Sequence, residues 1–235
     1  AWSVLGVYSP PAFFNMTQLD LDQILSVPQA PPDFRSGFVA IIGRPNVGKS
    51  TLMNALVGQK IAIASPVAQT TRNRLQGIVT TPDCQMILVD TPGIHKPHHE
   101  LGRVLVQNAK RAIYSVDLVV LLVDSSVPLG RGDQFIVDLL TQNAPPVLVG
   151  LNKQDQQDPE QVDNLDKSYE ILTENYGWPR FKFSALTGEG LPVLQQALTE
   201  KLPPGPYYYP PDLVTDQPER FIMAELIREQ ILLLT

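Results

Sequence analysis

An α/β fold of three layers, a mostly parallel six-stranded sheet with helices on both faces, is predicted by the sequence on three observations. Between Phe38 and Lys201 short apolar runs alternate with stretches of helical period, the pattern of strand–helix–strand crossovers. Four of the apolar runs are nearly unbroken, as strands buried on both faces should be. A glycine-bearing string, Gly43 to Ser50, separates the first apolar run from the first helical stretch.

The first strand is expected over Phe38 to Ile42 and the first helix over Lys49 to Val57. Strands follow at Leu75 to Thr81 and Gln85 to Asp90, then a helix from Gly102 to Tyr114 and a strand from Leu118 to Asp124. Arg131-Gly132-Asp133 reads as a loop into a helix over Gln134 to Gln142, and Val147 to Asn152 is the next buried strand. In the helix expected over Leu165 to Tyr176, the spacing of Leu165, Tyr169, Leu172 and Tyr176 gives one apolar stripe, and Gly177 suits its exit. A last strand over Phe181 to Ser184 and a helix over Pro192 to Lys201 complete the alternation. An amphipathic stretch from Glu219 to Leu234 reads as a further helix whose apolar face packs on protein rather than on a membrane.

Of 22 prolines, five precede Gly37 and six lie between Pro203 and Pro218. Three regions result: a flexible N-terminal extension over residues 1–36, a globular domain over 37–202, and a Pro/Tyr-rich linker with a helix over 203–235. Tyr207 to Tyr209 would anchor the linker on the domain. The extension has no Lys, and no Arg before Arg35, which argues against a secretory or mitochondrial leader. No apolar run approaches the roughly 20 residues that span a bilayer. With 18 Lys and Arg against 24 Asp and Glu, the net charge of −6 excludes nucleic-acid binding by phosphate neutralisation alone. The one cysteine, Cys84, cannot form an internal disulfide and fits a reducing compartment.

Gly43-Arg44-Pro45-Asn46-Val47-Gly48-Lys49-Ser50 matches G-x-x-x-x-G-K-[ST] between a strand and a helix, the context of a P-loop. Its glycines let backbone N–H groups close on phosphate oxygens, and the helix N-terminus adds positive potential. Lys49 would reach the β- and γ-phosphates, and the Ser50 hydroxyl would bind magnesium. In Asp90-Thr91-Pro92-Gly93 the aspartate can hold a magnesium-bound water and the Gly93 N–H can meet the γ-phosphate. In Asn152-Lys153-Gln154-Asp155 the Asp155 carboxylate can accept N1–H and the 2-amino group of guanine, donors that adenine lacks. Asn152 would brace neighbouring loops, the stem of Lys153 would lie over the base, and Ser184-Ala185-Leu186 would offer backbone N–H groups to guanine O6. An ATP-dependent enzyme would require Asn152-Lys153-Gln154-Asp155 to be coincidence.

In order along the chain, these strings resemble the GTPase set, and so a P-loop NTPase of the Ras-like type. Their wording, Gly43 through Ser50 followed by Thr51, Gln69-Thr70-Thr71-Arg72-Asn73-Arg74, Asp90 through Ile94 and His95, Asn152 through Asp155, and Ser184-Ala185-Leu186-Thr187-Gly188-Glu189-Gly190, resembles the Era family of the TrmE-Era-EngA GTPases. The likeness runs from about Gly37 to Thr235, because Pro218-Glu219-Arg220-Phe221 and the helix after it resemble the connector into a C-terminal KH domain. That domain is absent from this chain, which has no glycine pair spaced G-x-x-G.

The resemblance implies a switch that hydrolyses GTP to GDP and phosphate in maturation of the small ribosomal subunit, holding its ribosomal RNA mainly through the KH domain. It implies a catalytic set of Lys49, Thr71 and Gly93, and magnesium held by Ser50, by Thr71 (or Thr70) from a switch I loop over residues 60–74, and by Asp90 partly through water. Switch II would run from Asp90 past Gly102, with Ile94 where many small GTPases place a water-orienting glutamine. Intrinsic hydrolysis would then be slow, about 10⁻⁴ to 10⁻² s⁻¹. Asn46 resembles the asparagine that lets relatives bind potassium. His95, His98 and His99 read as solvated rather than as a metal site. A monomer in the bacterial cytoplasm is implied, with peripheral contact at the inner membrane face and no DNA partner. Two alternatives stay open: a GTPase of the EngA or TrmE kind, and a nucleotide-gated binding module whose turnover is incidental.

Overall fold

The structure, a computed structural model, describes residues 28–62, 75–91, 93–94, 107, 110–111, 113–142 and 144–234. Its sheet contains β1 (Arg35–Ile42), β2 (Leu75–Thr80), β3 (Cys84–Asp90), β4 (Leu118–Asp124), β5 (Val147–Asn152) and β6 (Arg180–Lys182). The spatial order is β2-β3-β1-β4-β5-β6. Every neighbouring pair is parallel except β2 with β3, joined by a tight turn. The described helices are α1 (Lys49–Val57), α2 (Arg131–Leu140), α3 (Val162–Glu174), α4 (Leu191–Lys201) and α5 (Glu219–Leu234), with a 3₁₀ turn at Gln154–Gln156. Residues 107, 110, 111 and 113 are also helical, within the stretch predicted for a helix.

Alternation along the central strands creates two interiors. Leu118, Val120 and Leu122 of β4 join a cluster with Leu52, Met53 and Leu56 of α1 and Leu194 and Leu198 of α4. Val119, Leu121 and Val123 face the other way, onto Ile136 and Leu140 of α2 and Tyr169 and Leu172 of α3. Each Leu, Ile or Val so buried contributes about 1.5–3 kcal/mol, which is why these runs hold the middle of a doubly covered sheet.

Polar exceptions explain where the linker goes. Gln85 sits fully buried in β3, a costly position unless its amide is satisfied. Its Nε2 donates to Thr80 Oγ1 (3.1 Å) and to the Tyr209 carbonyl (2.9 Å), and its Oε1 accepts from the amides of Tyr208 (2.7 Å) and Tyr209 (3.0 Å). The ring of Tyr207 lies 4.4 Å from that of Phe34 and Tyr208 lies 5.3 Å from Phe38, so these two tyrosines anchor the linker as expected. Farther on, the Ile78 amide donates to Val214 O (2.9 Å) and Thr215 Oγ1 to Gln76 O (2.8 Å), which lays the segment along β2. Helix α5 then packs Phe221 and Ile222 on the first cluster and sets the buried Glu229 carboxylate 2.5 Å from Lys60 Nζ.

Several boundaries move. β1 begins at Arg35, so the expected boundary between extension and domain at Gly37 falls inside a strand. The parallel ladder with β3 begins at Arg35–Cys84, which lengthens the strand, and on the other side Arg35 Nη1 donates to Leu202 O (2.5 Å), the Ser36 amide to Pro203 O (3.1 Å) and the Gly205 amide to Phe34 O (3.0 Å). α2 starts at Arg131 because the Asp133 carboxylate accepts from the Gly130 amide (3.0 Å) and caps the turn. α3 ends at Glu174, with Gly177 left-handed at φ +62 as its exit, and Tyr176 leaves the apolar stripe to stack on Trp178 at 4.8 Å. β6 is shifted one residue earlier and shortened by its register with Val149–Leu151 of β5. Among the described residues no helix is long and apolar enough to cross a membrane.

Candidate nucleotide site at the carboxyl edge of the sheet

The turn between β1 and α1 is built so that backbone, not side chain, faces the site. A Cβ on Gly43 would lie 2.4 Å from Leu122 O, and one on Gly48 2.4 Å from Asn152 Nδ2. Gly48 (φ +98) and Asn46 (φ +65) are left-handed, which curls residues 43–50 around a central space. Asn46 is exposed and Pro45 half-buried on the rim, while Val47 is buried beneath. No side chain caps α1, so its first amides remain available to an anion.

Lys49 and Ser50 open α1 and are both buried. Lys49 Nζ donates to Arg44 O at 2.8 Å, across the loop. Burial pushes the Lys49 ammonium down from 10.5 to about 8, with the Asp90 carboxylate pulling the other way. Between these two values the unfolded chain holds more protons than the folded one, so stability rises with pH there. In urea unfolding without nucleotide, Lys49→Met is therefore expected to hold an advantage over wild type near pH 7.5 that shrinks toward pH 10. A constant gap would mean that Lys49 keeps an ordinary pKa.

Ser50 Oγ donates to Asp90 Oδ2 at 2.9 Å, so a hydroxyl from α1 and a carboxylate from the end of β3 meet in a buried position. That hard-oxygen pair is the donor chemistry a magnesium ion takes, and it lies beside the loop that would hold phosphates. Past Asp90, Thr91 Oγ1 donates to Ile41 O (2.8 Å) and the Ile94 amide to Gly43 O (3.0 Å). Gly93 packs so closely that a Cβ would meet Pro45 Cα at 2.8 Å. Ile94 is buried in the second cluster, so its side chain offers nothing to a water molecule.

On the other side of Gly48 a pocket of about 120 Å³ is lined by Gly48, Thr51, Asn152, Lys153, Asp155, Gln156, Ser184, Ala185 and Leu186. Asn152 is its brace: Nδ2 donates to Val47 O (2.8 Å) and Oδ1 accepts from the Ala185 amide (2.8 Å), tying the P-loop to the loop after β6. The amides of Ala185 and Ser184 are engaged, the second with Glu189 O at 2.9 Å, and of the expected trio only Leu186 keeps its N–H clear of a protein acceptor among the described residues. Lys153 stands left-handed (φ +68), and its Nζ donates to Asp124 Oδ2 at 2.6 Å.

The structure thus brings together Gly43 through Thr51, Asp90, Gly93, Asn152, Lys153, Asp155 and Ser184 through Leu186 on one rim. Thr71 and Thr70, with His95, His98 and His99, lie outside the described residues. Two participants, Asp133 and Asp124, were missed by sequence reasoning. Arg44 Nε pairs with the buried Asp133 at 2.7 Å, which fastens the P-loop to α2, and Asp124 holds Lys153. The second had a signal, because Asp124 ends a buried strand as Asp90 does; the first had none beyond an arginine in the loop.

A P-loop, an acidic strand end beside its serine, and a base pocket braced from β5 define a P-loop GTPase of the Ras-like type. Residues 38–153 match the family described as 50S ribosome-binding GTPase. GTPase Era of Synechocystis is 78% identical over 212 residues, covering 90% of this chain and 67% of that protein. An Era variant from Aquifex aeolicus bound to GDP.AlF4- superposes with a TM-score of 0.78 at 36% identity, covering 86% of this chain and 68% of that one. An Era in complex with MgGDPNP and nucleotides 1506–1542 of 16S ribosomal RNA gives 0.75 at 35%, covering 83% and 66%. The chain belongs to the Era GTPases, and it spans about two thirds of the length of these relatives.

Proposed function

We propose that residues 37–202 form the GTP-hydrolysing domain of a ribosome-assembly switch, and that residues 203–235 lead into a separate RNA-holding domain. The observation that carries the reading is the pocket beside Gly48, lined by Asp155, Lys153 and Leu186, which would take a planar base. With GTP seated there, the P-loop amides and Lys49 hold the β- and γ-phosphates. Water attacks the γ-phosphorus, the bond to the bridging oxygen breaks, and GDP and phosphate leave. Ser50 and Asp90, with Thr71 from switch I, would hold magnesium, which draws charge from the phosphate oxygens. The Gly93 amide would report the γ-phosphate, so that hydrolysis would change the loops on either side of it.

The relative bound to 16S ribosomal RNA supports small-subunit RNA as the partner. With a net charge of −6 the present chain is poorly suited to hold RNA by itself. The exposed Met223, Ile227 and Ile231 of α5 form the face on which a following domain would pack. The same reading takes the protein as a cytoplasmic monomer with peripheral membrane contact.

Because Ile94 cannot orient water, charge stabilisation would come from elsewhere, and a potassium ion held by the exposed Asn46 at the P-loop rim would supply it. GTP turnover with magnesium is expected to be about 10- to 100-fold faster in potassium than in sodium at equal ionic strength. Asn46→Ala should abolish the difference. Equal slow rates in both salts would overturn the part given to Asn46.

A further inference from the structure

One acidic side chain at this edge has no part in the phosphate or base contacts described above. Asp124 ends β4 in register with Asn152 at the end of β5. Its Oδ2 accepts from Lys153 Nζ at 2.6 Å, and its Oδ1 accepts from the amide (3.1 Å) and the hydroxyl (2.6 Å) of Ser126. Its carbonyl accepts from the buried Tyr169 hydroxyl at 2.7 Å, which fixes the backbone as well. Partial burial pushes the carboxyl pKa up, but the hydrogen bonds from Lys153 and Ser126 and the lysine charge outweigh it and hold the group below its ordinary value of 3.8. Asp124 is therefore an anion at neutral pH.

Lys153 and Asp155 both line the base pocket, two residues apart on one 3₁₀ turn. An ammonium so close to a carboxylate is its natural partner, and such a pair would occupy the acceptor oxygens that a base with N1–H and a 2-amino group needs. Instead the ammonium is drawn to Asp124, while Asp155 makes no ion pair among the described residues. Asp124 and Lys153 are both largely shielded from solvent, where a charge pair is screened less than at the surface.

We infer that Asp124 is a positioning residue for base specificity: by holding the Lys153 ammonium on the β4 side of the pocket, it keeps the Asp155 carboxylate unpaired for the base. The inference rests on the base-pocket reading above. It deepens that reading by assigning specificity to a residue outside the Asn152–Asp155 motif.

The test compares the affinities of GDP and of inosine diphosphate, which lacks the 2-amino group, by calorimetry on wild type, Asp124→Asn, Lys153→Met and the double variant. Asp124→Asn is expected to weaken GDP about tenfold and inosine diphosphate less, narrowing the ratio about threefold or more. In the Lys153→Met background the same change should leave the ratio where Lys153→Met alone puts it, since no ammonium remains to fall on Asp155. A merely structural Asp124 would weaken both nucleotides alike. Ser126→Ala, which only loosens the Asp124 carboxylate, should shift the ratio the same way by less, and it supplies the test if Asp124→Asn does not fold. An unchanged ratio in a folded variant, or equal narrowing with and without Lys153, overturns the inference. Asp155→Asn measured with xanthosine diphosphate runs alongside. If it fails to accept xanthine, the pocket reading fails; if it succeeds while Asp124→Asn leaves the ratio alone, only the role of Asp124 falls.

Discussion

Asp155→Asn is expected to lower GDP affinity by about 10³-fold or more and to raise affinity for xanthosine diphosphate. A carboxylate presents acceptors to both N1–H and the 2-amino group of guanine. The asparagine amide presents one acceptor and one donor, so the 2-amino group faces a second donor and is left without a partner. Discrimination by a mismatched polar group in a closed site reaches about 10⁴–10⁵. The pocket wall of Lys153, Ala185 and Leu186 encloses only part of the base site, so a figure below that range, about 10³, is taken. Xanthine carries a 2-oxo group in place of the amino group, which matches the asparagine pair. Competition of each diphosphate against a fluorescent guanine nucleotide measures both changes. A GDP affinity within tenfold of wild type would remove Asp155 from base recognition.

Gly43→Ala is expected to cost about 3 kcal/mol or more and to abolish nucleotide binding. The new methyl would lie 2.4 Å from the Leu122 carbonyl and 2.8 Å from Val47 Cγ2. Leu122 belongs to the middle of β4, bonded on one side to β1 and on the other to β5, so its backbone has nowhere to go. The P-loop must move instead, and the Ile94 amide loses its bond to Gly43 O. For a chain of this size, that loss corresponds to a fall in Tm of about 6–12 °C. Gly58→Ala is the control. It is left-handed at φ +74 but has open space around it, so only backbone strain is added, about 1 kcal/mol. Thermal unfolding of the two variants separates crowding from strain. A Gly43→Ala protein melting as Gly58→Ala does would show that the loop yields.

The strands that carry the site were legible because their signals are local. Leu118 to Asp124 and Val147 to Asn152 are continuous apolar runs ending in a polar residue, and both appear with those bounds. The P-loop was legible because its glycines are forced by backbone approach, which leaves a fixed spacing. What escaped depends on partners distant in sequence. Arg35 and Ser36 join β1 because Cys84 and Gln85 of β3 lie in register with them on one side and Leu202 and Pro203 meet them on the other. The bond from the Ala185 amide to the Asn152 side chain likewise joins residues far apart in sequence. In Arg131-Gly132-Asp133 the first helical turn is concealed, because its cap depends on a carboxylate folding back on Gly130 while also meeting Arg44.

The segment that runs along β2 also bears on how the protein behaves among its own copies. β2 is the outermost strand on its side of the sheet, and a bare outer strand is a row of open donors and acceptors on which a strand from a second molecule can assemble. Val214 and Thr215 occupy part of that row, and the prolines around them supply no further N–H to extend it. A domain trimmed at Leu202 would lose this hem and tend to aggregate while its nucleotide site stayed whole. The linker is thus a guard against misassembly.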